Sequence, residues 1–178
     1  MKSFSKTYAA SLFSLCEEEN LTGVIMDDIK TASTVFEENK EYAVILDSPV
    51  IPQNERLSLI DGAFSSLHEY VGNFIKILCE KKSVYLFPSC AKEFELLYNK
   101  KNDIEKVTAI TATKLNDRLS QKLVEKLEEQ TGRKIVLECK VDPSLIGGIV
   151  LRTENSQTDA SVRLRLDKIL ASLSSAEI

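Results

Sequence analysis

The single histidine, His68, is the first residue to consider as a general acid or base, because imidazole is the side chain that ordinarily changes charge near neutral pH. It stands between Leu67 and Glu69 at the start of a predicted helix, and no serine or cysteine lies at the spacing of a nucleophile motif. A histidine at the surface or at a helix boundary therefore explains this position better than a catalytic one.

Cysteine is the next residue type that could carry chemistry, as a metal ligand or as a disulfide. The four cysteines are Cys16, Cys79, Cys90 and Cys139. None belongs to a C-x-x-C pair and the chain offers only one histidine to complete a ligand set, so we expect no zinc site. A reducing compartment does not favour a disulfide framework either. We predict four small and mostly buried thiols.

The pair Gly147-Gly148 resembles a phosphate-binding loop only superficially. It lacks the lysine and the spacing of a P-loop, and it lacks the spacing of a dinucleotide fingerprint. The pair follows a turn and opens a strand, so a bulge or a close approach of two backbones is predicted. The carboxylates are scattered, and no two of them share an apolar setting. We therefore expect no active site, no cofactor and no metal.

Three charged residues, Asp159, Arg163 and Arg165, lie where a strand gives way to a helix. One interpretation is a docking site for an acidic partner. The other is a helix N-terminus capped by Asp159 or Ser161, with the arginines solvated along one face. The second interpretation is favoured for the energetics, and it leaves room for a contact with a partner.

Composition limits the classes of partner. Of the 178 residues, 43% are hydrophobic and 28% are charged, which is a globular balance. The net charge is −4, with 16 acidic and 11 basic residues in positions 1–103 and 11 and 12 in positions 104–178. A nucleic-acid-binding protein would need a basic face, so we expect no nucleic acid partner. The sequence has no apolar run of the ~20 residues that cross a bilayer and begins without a secretory signal, which predicts a protein kept on the cytosolic side.

Helical periodicity fills the first hundred residues. Apolar side chains recur three and four positions apart in six segments, and no strand pattern interrupts them. Pro49 and Pro52 interrupt the series between the third and fourth segments. A six-helix bundle is predicted, with each apolar stripe facing inward. The first stripe consists of Phe4, Tyr8, Leu12, Leu15 and Cys16.

The period changes after the polar stretch 100–103. Residues 107–112 are rich in β-branched side chains, and apolar residues alternate with polar ones from Ile135 to Val141. Between them a helix is predicted, capped by Asn116 and ended by Gly132. A strand over 146–152 and a helix over 161–173 complete the pattern. The predicted fold class is α+β, with a helical bundle over residues 1–103 and a small α/β domain over residues 104–178.

The fifth helical segment is apolar over more than one side. Val71, Ile75 and Leu78 belong to the inward stripe, and Tyr70 and Ile77, seven positions apart, extend it to another face. A central helix surrounded by its own bundle explains this width. A groove that receives a partner helix explains it equally well.

Several motifs together resemble the delta subunit of F-type ATP synthases, the family that includes the mitochondrial oligomycin-sensitivity-conferring protein. The most specific motif is Val141–Arg152 with its Gly-Gly pair, and weaker matches span the rest of the chain. These weaker matches are Tyr8–Phe13, Ser48–Pro52, Asn73–Leu78 with Glu80, and Asp159, Ser161, Val162, Arg163 and Leu166. Two family glycines are replaced, by Ala160 and by Leu164. These replacements affect the geometry of that junction rather than the membership.

The resemblance implies a non-catalytic stator subunit that keeps the catalytic head from rotating with the rotor during proton-coupled ATP synthesis. One copy is expected per complex, at the cytoplasmic face of a bacterial cell membrane, with membrane contact only through the complex. The resemblance implies that a groove between the first and fifth helices binds the N-terminal helix of one alpha subunit. Tyr8, Ser11 and Ile77 are the candidate groove residues. It also implies that the C-terminal domain binds the C-terminal region of the stalk b subunits.

Before the resemblance is considered, two other functions compete with this one. A scaffold protein could use the same kind of groove for a different peptide, and copurified partners would distinguish it. An enzyme with an unnoticed site is disfavoured because the chain has one histidine, no metal motif and no phosphate loop.

Overall fold

Helices make up nearly all of the first hundred residues in the computed structural model, which describes residues 2–153 and 156–174, with side chains for residues 4–153 and 156–168. The helices are α1 (Lys2–Glu18), α2 (Thr22–Glu38), α3 (Lys40–Asp47), α4 (Gln53–Phe64), α5 (Glu69–Glu80) and α6 (Phe87–Lys101). The expectation of a plain six-helix bundle is too simple. A 3-10 turn, Val84–Leu86, joins α5 to α6, and the two α-helices of the C-terminal part, both predicted from the sequence, bring the described α-helices to eight.

One apolar core unites these six helices. Phe36 of α2 lies at its centre, with ring centroids 5.6 Å from Phe64 and 5.0 Å from Phe87. Such aromatic pairs add to the stabilisation that their buried area supplies. Ile25, Ile29 and the other inward residues of α2 recur at helical spacing, which is why the segment forms a helix with one buried side.

A cation is buried between three of the helices. Arg56 of α4 is 6% exposed, and its Nη1 donates to the carbonyl oxygens of Leu46 at 2.8 Å and Cys79 at 3.3 Å. These carbonyls belong to the last turns of α3 and α5, where the helix dipoles place partial negative charge. The guanidinium therefore joins the C-terminal ends of two helices, although its Nε has no hydrogen-bond partner.

The C-terminal part is built on a four-stranded sheet with the order β2-β1-β3-β4. The strands are β1 (Ile104–Thr111), β2 (Lys134–Val141), β3 (Ile149–Arg152) and β4 (Gln157–Asp159). β1 runs parallel to β2 and antiparallel to β3, and β3 is antiparallel to β4. Helix α7 (Asp117–Thr131) connects the parallel pair, and helix α8 (Val162–Ser174) follows β4. The overall class is a helix-rich α+β fold.

The local signals for α7 are confirmed at both ends. The Asn116 side chain accepts a hydrogen bond from the backbone nitrogen of Leu119 at 2.8 Å, and Gly132 adopts φ +68° directly after the last turn. The first two residues of the polar stretch 100–103 are helical, because Lys100 and Lys101 form the end of α6. Their charges suit the negative end of that helix dipole. The chain separates into two compact units, one ending at Tyr98 and the other beginning at Asn99.

Candidate partner-binding surfaces

His68 serves the helix that follows it. It is the N-terminal cap of α5, and its Nδ1 accepts a hydrogen bond from the backbone nitrogen of Tyr70 at 3.3 Å. Its own backbone nitrogen donates to Oδ2 of Asp28 at 2.7 Å. The prediction of a helix-boundary histidine is confirmed, and both contacts are structural.

The thiols are buried with one exception. Cys16, Cys79 and Cys90 are inside the helical core, and burial raises the pKa of Cys16 and of Cys90 to about 11. These two thiols are therefore protonated and unreactive near neutral pH. Cys139 is exposed on β2, contrary to the prediction that all four would be mostly buried. Within residues 2–153 and 156–174, no group of three or more potential metal ligands occurs.

Helix α1 presents apolar side chains to solvent as well as to the core. Phe4, Tyr8, Ser11 and Leu15 follow one line of the helix, because they are spaced by four, three and four residues. Phe4 is 65% exposed and Leu15 is 42% exposed, whereas Leu12 on the neighbouring line is buried. We call the four residues Phe4, Tyr8, Ser11 and Leu15 the α1 outer line.

The prediction that Phe4 and Leu15 face inward is therefore wrong. The buried stripe of α1 consists of Ser5, Ala9, Leu12, Phe13 and Cys16. Periodicity could not show which of the two lines faces the core, since both repeat every three or four residues and are offset by one residue, or about 100° around the helix. Sequence reasoning thus missed Phe4 and Leu15 as surface residues, although their spacing with Tyr8 and Ser11 was the available signal.

Helix α5 also has an exposed apolar residue, Ile77. Val71, Ile75 and Leu78 are buried, while Ile77 is 46% exposed and Tyr70 is half-buried. The other helices therefore leave Ile77 uncovered, and a central helix surrounded by its own bundle does not explain this position.

The two helices meet beside the α1 outer line. The Tyr8 ring contacts Phe74 of α5 edge-on, with centroids 6.5 Å apart. Tyr8 thus lies where α1 and α5 touch. Ser11 is exposed, and its hydroxyl donates to the carbonyl of Thr7 at 3.0 Å within the helix. A small, internally satisfied side chain at this point lets another helix approach the α1 surface closely.

The Gly-Gly pair marks a close backbone approach, as predicted. Gly148 adopts φ +81°, and a Cβ atom placed on it would lie 2.4 Å from the carbonyl oxygen of Ala160. Two backbone hydrogen bonds stabilise this close approach, which we call the backbone crossing at Gly148 and Ala160. Ala160 donates to Ile149 and Val162 donates to Gly147, both at 2.9 Å. Only glycine fits at position 148, because it supplies both the left-handed φ and the missing side chain.

The charged junction before α8 is a helix cap. Ser161 is buried, and its Oγ accepts a hydrogen bond from the backbone nitrogen of Leu164 at 3.2 Å. Asp159 accepts from the backbone nitrogen of Ser161 at 2.8 Å. The hydrogen bonds from Ser161, assisted by the charge of Lys168, lower the pKa of Asp159. Ala160, which replaces a family glycine, is exposed, so its methyl group is accommodated.

Comparison with known proteins shows which family this chain belongs to. The family model described as the ATP synthase delta (OSCP) subunit matches residues 4–173. The chain belongs to this family. A relative from Clostridioides difficile (strain 630), named ATP synthase subunit delta, is 31% identical over 169 residues, covering 94% of this chain and 93% of its own. Another subunit delta, from Desulfotalea psychrophila (strain LSv54 / DSM 12343), is 27% identical and covers 97% of both chains.

The fold is shared with a solved structure. The chain superposes on a chain of the Toxoplasma gondii mitochondrial ATP synthase hexamer with a TM-score of 0.75, at 20% identity, covering 95% of this chain and 96% of that chain. Membership makes the chain a stator-linking subunit of the peripheral stalk of F-type ATP synthase, which is structural and not itself catalytic. Among the described residues, no helix is both long enough and apolar enough to cross a membrane.

Proposed function

We propose that residues 1–103 bind the N-terminal helix of one alpha subunit in the groove between α1 and α5, with Tyr8, Ser11 and Ile77 in contact with it. Residues 104–178 bind the C-terminal region of the b subunits, and each complex holds one copy of the chain. The observation that carries the first contact is that α1 and α5 touch through the rings of Tyr8 and Phe74 and that both helices expose apolar side chains, Phe4 and Leu15 on α1 and Ile77 on α5.

The surface suits an amphipathic helix in its chemistry. Phe4, Leu15 and Ile77 are apolar anchors that a docked helix would remove from water, and buried apolar area is the main source of affinity in such contacts. Ser11 between the two α1 anchors allows close packing. A nanomolar contact corresponds to about 12 kcal/mol, which a few central anchors can supply when the surrounding contacts exclude water.

A mechanical role follows from two such contacts on one chain. A stator link must resist the torque of the rotor, so each contact has to dissociate slowly, and slow dissociation is how tight interfaces differ from weak ones. The chain reaches the membrane only through its partners in this proposal, at the cytoplasmic face of a bacterial cell membrane. Both of the relatives named above are bacterial proteins, which supports that location.

Calorimetric titration of the full chain tests the alpha contact. The titrant is a synthetic peptide of the N-terminal ~20 residues of the same organism's alpha subunit, about 30 Å when helical. We expect tight one-to-one binding, and Ile77→Asp should weaken it by at least about 2 kcal/mol, or roughly thirtyfold, because a charge would be buried in an apolar contact. Ile77 is partly exposed, so the variant should remain folded.

Val44→Asp provides a matched control, since Val44 is an exposed apolar residue on α3, away from the groove. It should bind the peptide like the unmodified chain. Equal affinity of Ile77→Asp and the unmodified chain would remove Ile77 from the site. Absence of any binding by the folded chain would contradict the groove itself.

A further inference from the structure

We propose that α8 is the b-contacting element of the C-terminal half, and that it binds a b-subunit helix whose apolar face is flanked by carboxylates. This inference rests on the proposed binding of residues 104–178 to the b subunits and specifies its surface and chemistry. The surface consists of Val162, Leu166 and Ile146, with Arg163 and Arg165 on either side of the helical line; we call it the α8 face.

The apolar part of the α8 face is open to solvent. Val162 and Leu166 are four residues apart and therefore lie on one side of α8, and Leu166 is 45% exposed. Ile146 is 66% exposed in the turn before β3. The hydrogen bond from Val162 to the carbonyl of Gly147 joins this turn to the first turn of α8, which brings the backbone of Ile146, one residue before Gly147, close to the start of the helix.

The backbone at Ile146 is unfavourable for its side chain. Its φ is +66°, a left-handed conformation that a β-branched residue rarely adopts. Such residues persist where the surrounding structure enforces them, and they are concentrated at binding and functional sites. Here the Gly147–Val162 and Ala160–Ile149 hydrogen bonds enforce the turn, and the result is a large apolar side chain presented to water.

The arginines determine the charge of the partner. A helix advances by about 100° per residue, so Arg163 and Arg165 project on opposite sides of the line through Val162 and Leu166. Neither forms an ion pair within 4.0 Å with another residue in the described ranges. Hydrogen bonds from Ser144 lower the pKa of Asp142, and the charge of Arg163 adds to this shift, so this carboxylate is already engaged by Ser144.

An apolar line flanked by two cations is one half of a helix–helix contact. In such contacts the apolar residues pack in the seam, and the flanking charges pair across it and select the partner. The complementary half is a helix with aliphatic residues in the seam and carboxylates at the flanks. A polyanion such as nucleic acid would need a broader basic surface than two arginines on a chain of net charge −4.

The test uses the full chain and a fragment holding the C-terminal half of the same organism's b subunit, titrated at low and at physiological salt. We expect the unmodified chain to bind. Arg165→Glu should weaken binding by about tenfold or more, with a smaller loss at higher salt, because like charges then meet across the contact. Leu166→Ser should weaken binding by a similar factor at both salt concentrations, because it removes apolar contact area.

Arg118→Glu is the matched control, because Arg118 is an exposed arginine in the first turn of α7, outside the α8 face. It should change the affinity by no more than about twofold, as expected of a rim charge. Thermal unfolding of each variant verifies that α8 is intact, and both targeted side chains are partly or fully exposed.

The outcomes separate the two proposals. If the unmodified chain fails to bind the b fragment, the proposed role of residues 104–178 is wrong, and the inference about α8 is then wrong as well. If the unmodified chain binds and all three variants bind alike, the role stands and the α8 face is overturned. If Leu166→Ser abolishes a self-association seen by sedimentation but leaves b binding unchanged, the face belongs to a second copy of this chain, which also overturns the proposal.

Discussion

Replacement of Gly148 by alanine should be among the most damaging small substitutions in the C-terminal half. At φ +81°, an alanine costs about 1–2 kcal/mol of folding free energy, because a residue with a Cβ atom adopts the left-handed conformation unfavourably. Its Cβ would also lie 2.4 Å from the carbonyl oxygen of Ala160 and 2.9 Å from the Cα of Ser161, both backbone atoms. Because neither neighbour is the end of a flexible side chain, the backbone crossing itself must open.

The loss of stability can be estimated from the hydrogen bonds that break when the backbone crossing opens. The two hydrogen bonds at the crossing, from Ala160 to Ile149 and from Val162 to Gly147, each contribute about 0.5–1.5 kcal/mol. Together with the left-handed penalty, Gly148→Ala should lower the free energy of unfolding by about 2–5 kcal/mol. For a unit of this size, each kcal/mol shifts Tm by about 4–8 °C, so a fall of more than about 10 °C is expected.

A second glycine separates the steric cost from the conformational one. Gly132 also has a left-handed φ, +68°, but a Cβ there would meet no atom within 4 Å. Gly132→Ala should therefore cost only the left-handed penalty of about 1–2 kcal/mol. Urea denaturation of both variants, followed by circular dichroism, measures the difference. Equal losses in the two variants would refute the claim that the crossing at Ala160 requires glycine.

Substitutions at three further positions test the fold. Arg56→Met should lower the free energy of unfolding by about 2 kcal/mol in urea denaturation, because it removes the two hydrogen bonds from Nη1 and the positive charge at the C-terminal ends of α3 and α5. An unchanged midpoint would show that the helix ends do not depend on the cation. His68→Ala should cost about 1 kcal/mol by loss of the α5 cap, while His68→Asn should restore most of it in the same assay; equal loss in both would exclude capping. Hydrogen bonds from Ser161 hold the pKa of Asp159 below its ordinary value near 3.8, so the stability that they supply is complete above that value and is lost as the pH falls through the lowered pKa. Asp159→Ala should reduce this loss of stability at acidic pH, measured as the urea midpoint over a pH series. The same loss in the variant and in the unmodified chain would contradict the assignment.

The proposed contacts also explain why the chain needs no reactive groups. The thiols of Cys16 and Cys90 are protonated within the core and His68 caps α5, so these three residues serve the fold. In the proposed function, the contacts are made instead by apolar side chains left outside the core, on α1, α5 and α8. Exposed apolar residues that form a contiguous patch are a recognised mark of protein-binding surfaces.

The sequence by itself determined the features that depend on neighbouring residues. The stripes of apolar side chains predicted the helices, because a helix brings residues three and four apart onto one side. Asn116 and Gly132 marked the ends of α7, since capping is a hydrogen bond or a dihedral angle within a few residues. The Gly-Gly motif predicted a close backbone approach, although not the residue on the other side.

Only the tertiary structure decided the features that depend on residues distant in the chain. Two lines of α1 had the same periodicity, and packing by the other helices buried Leu12 and left Phe4 and Leu15 exposed. Arg56 was buried because two helix ends converge on it, and no local pattern records that convergence. Burial is set by which surfaces meet in space, and a local pattern can specify that a helix has an apolar side without specifying how much of that side its own fold will cover.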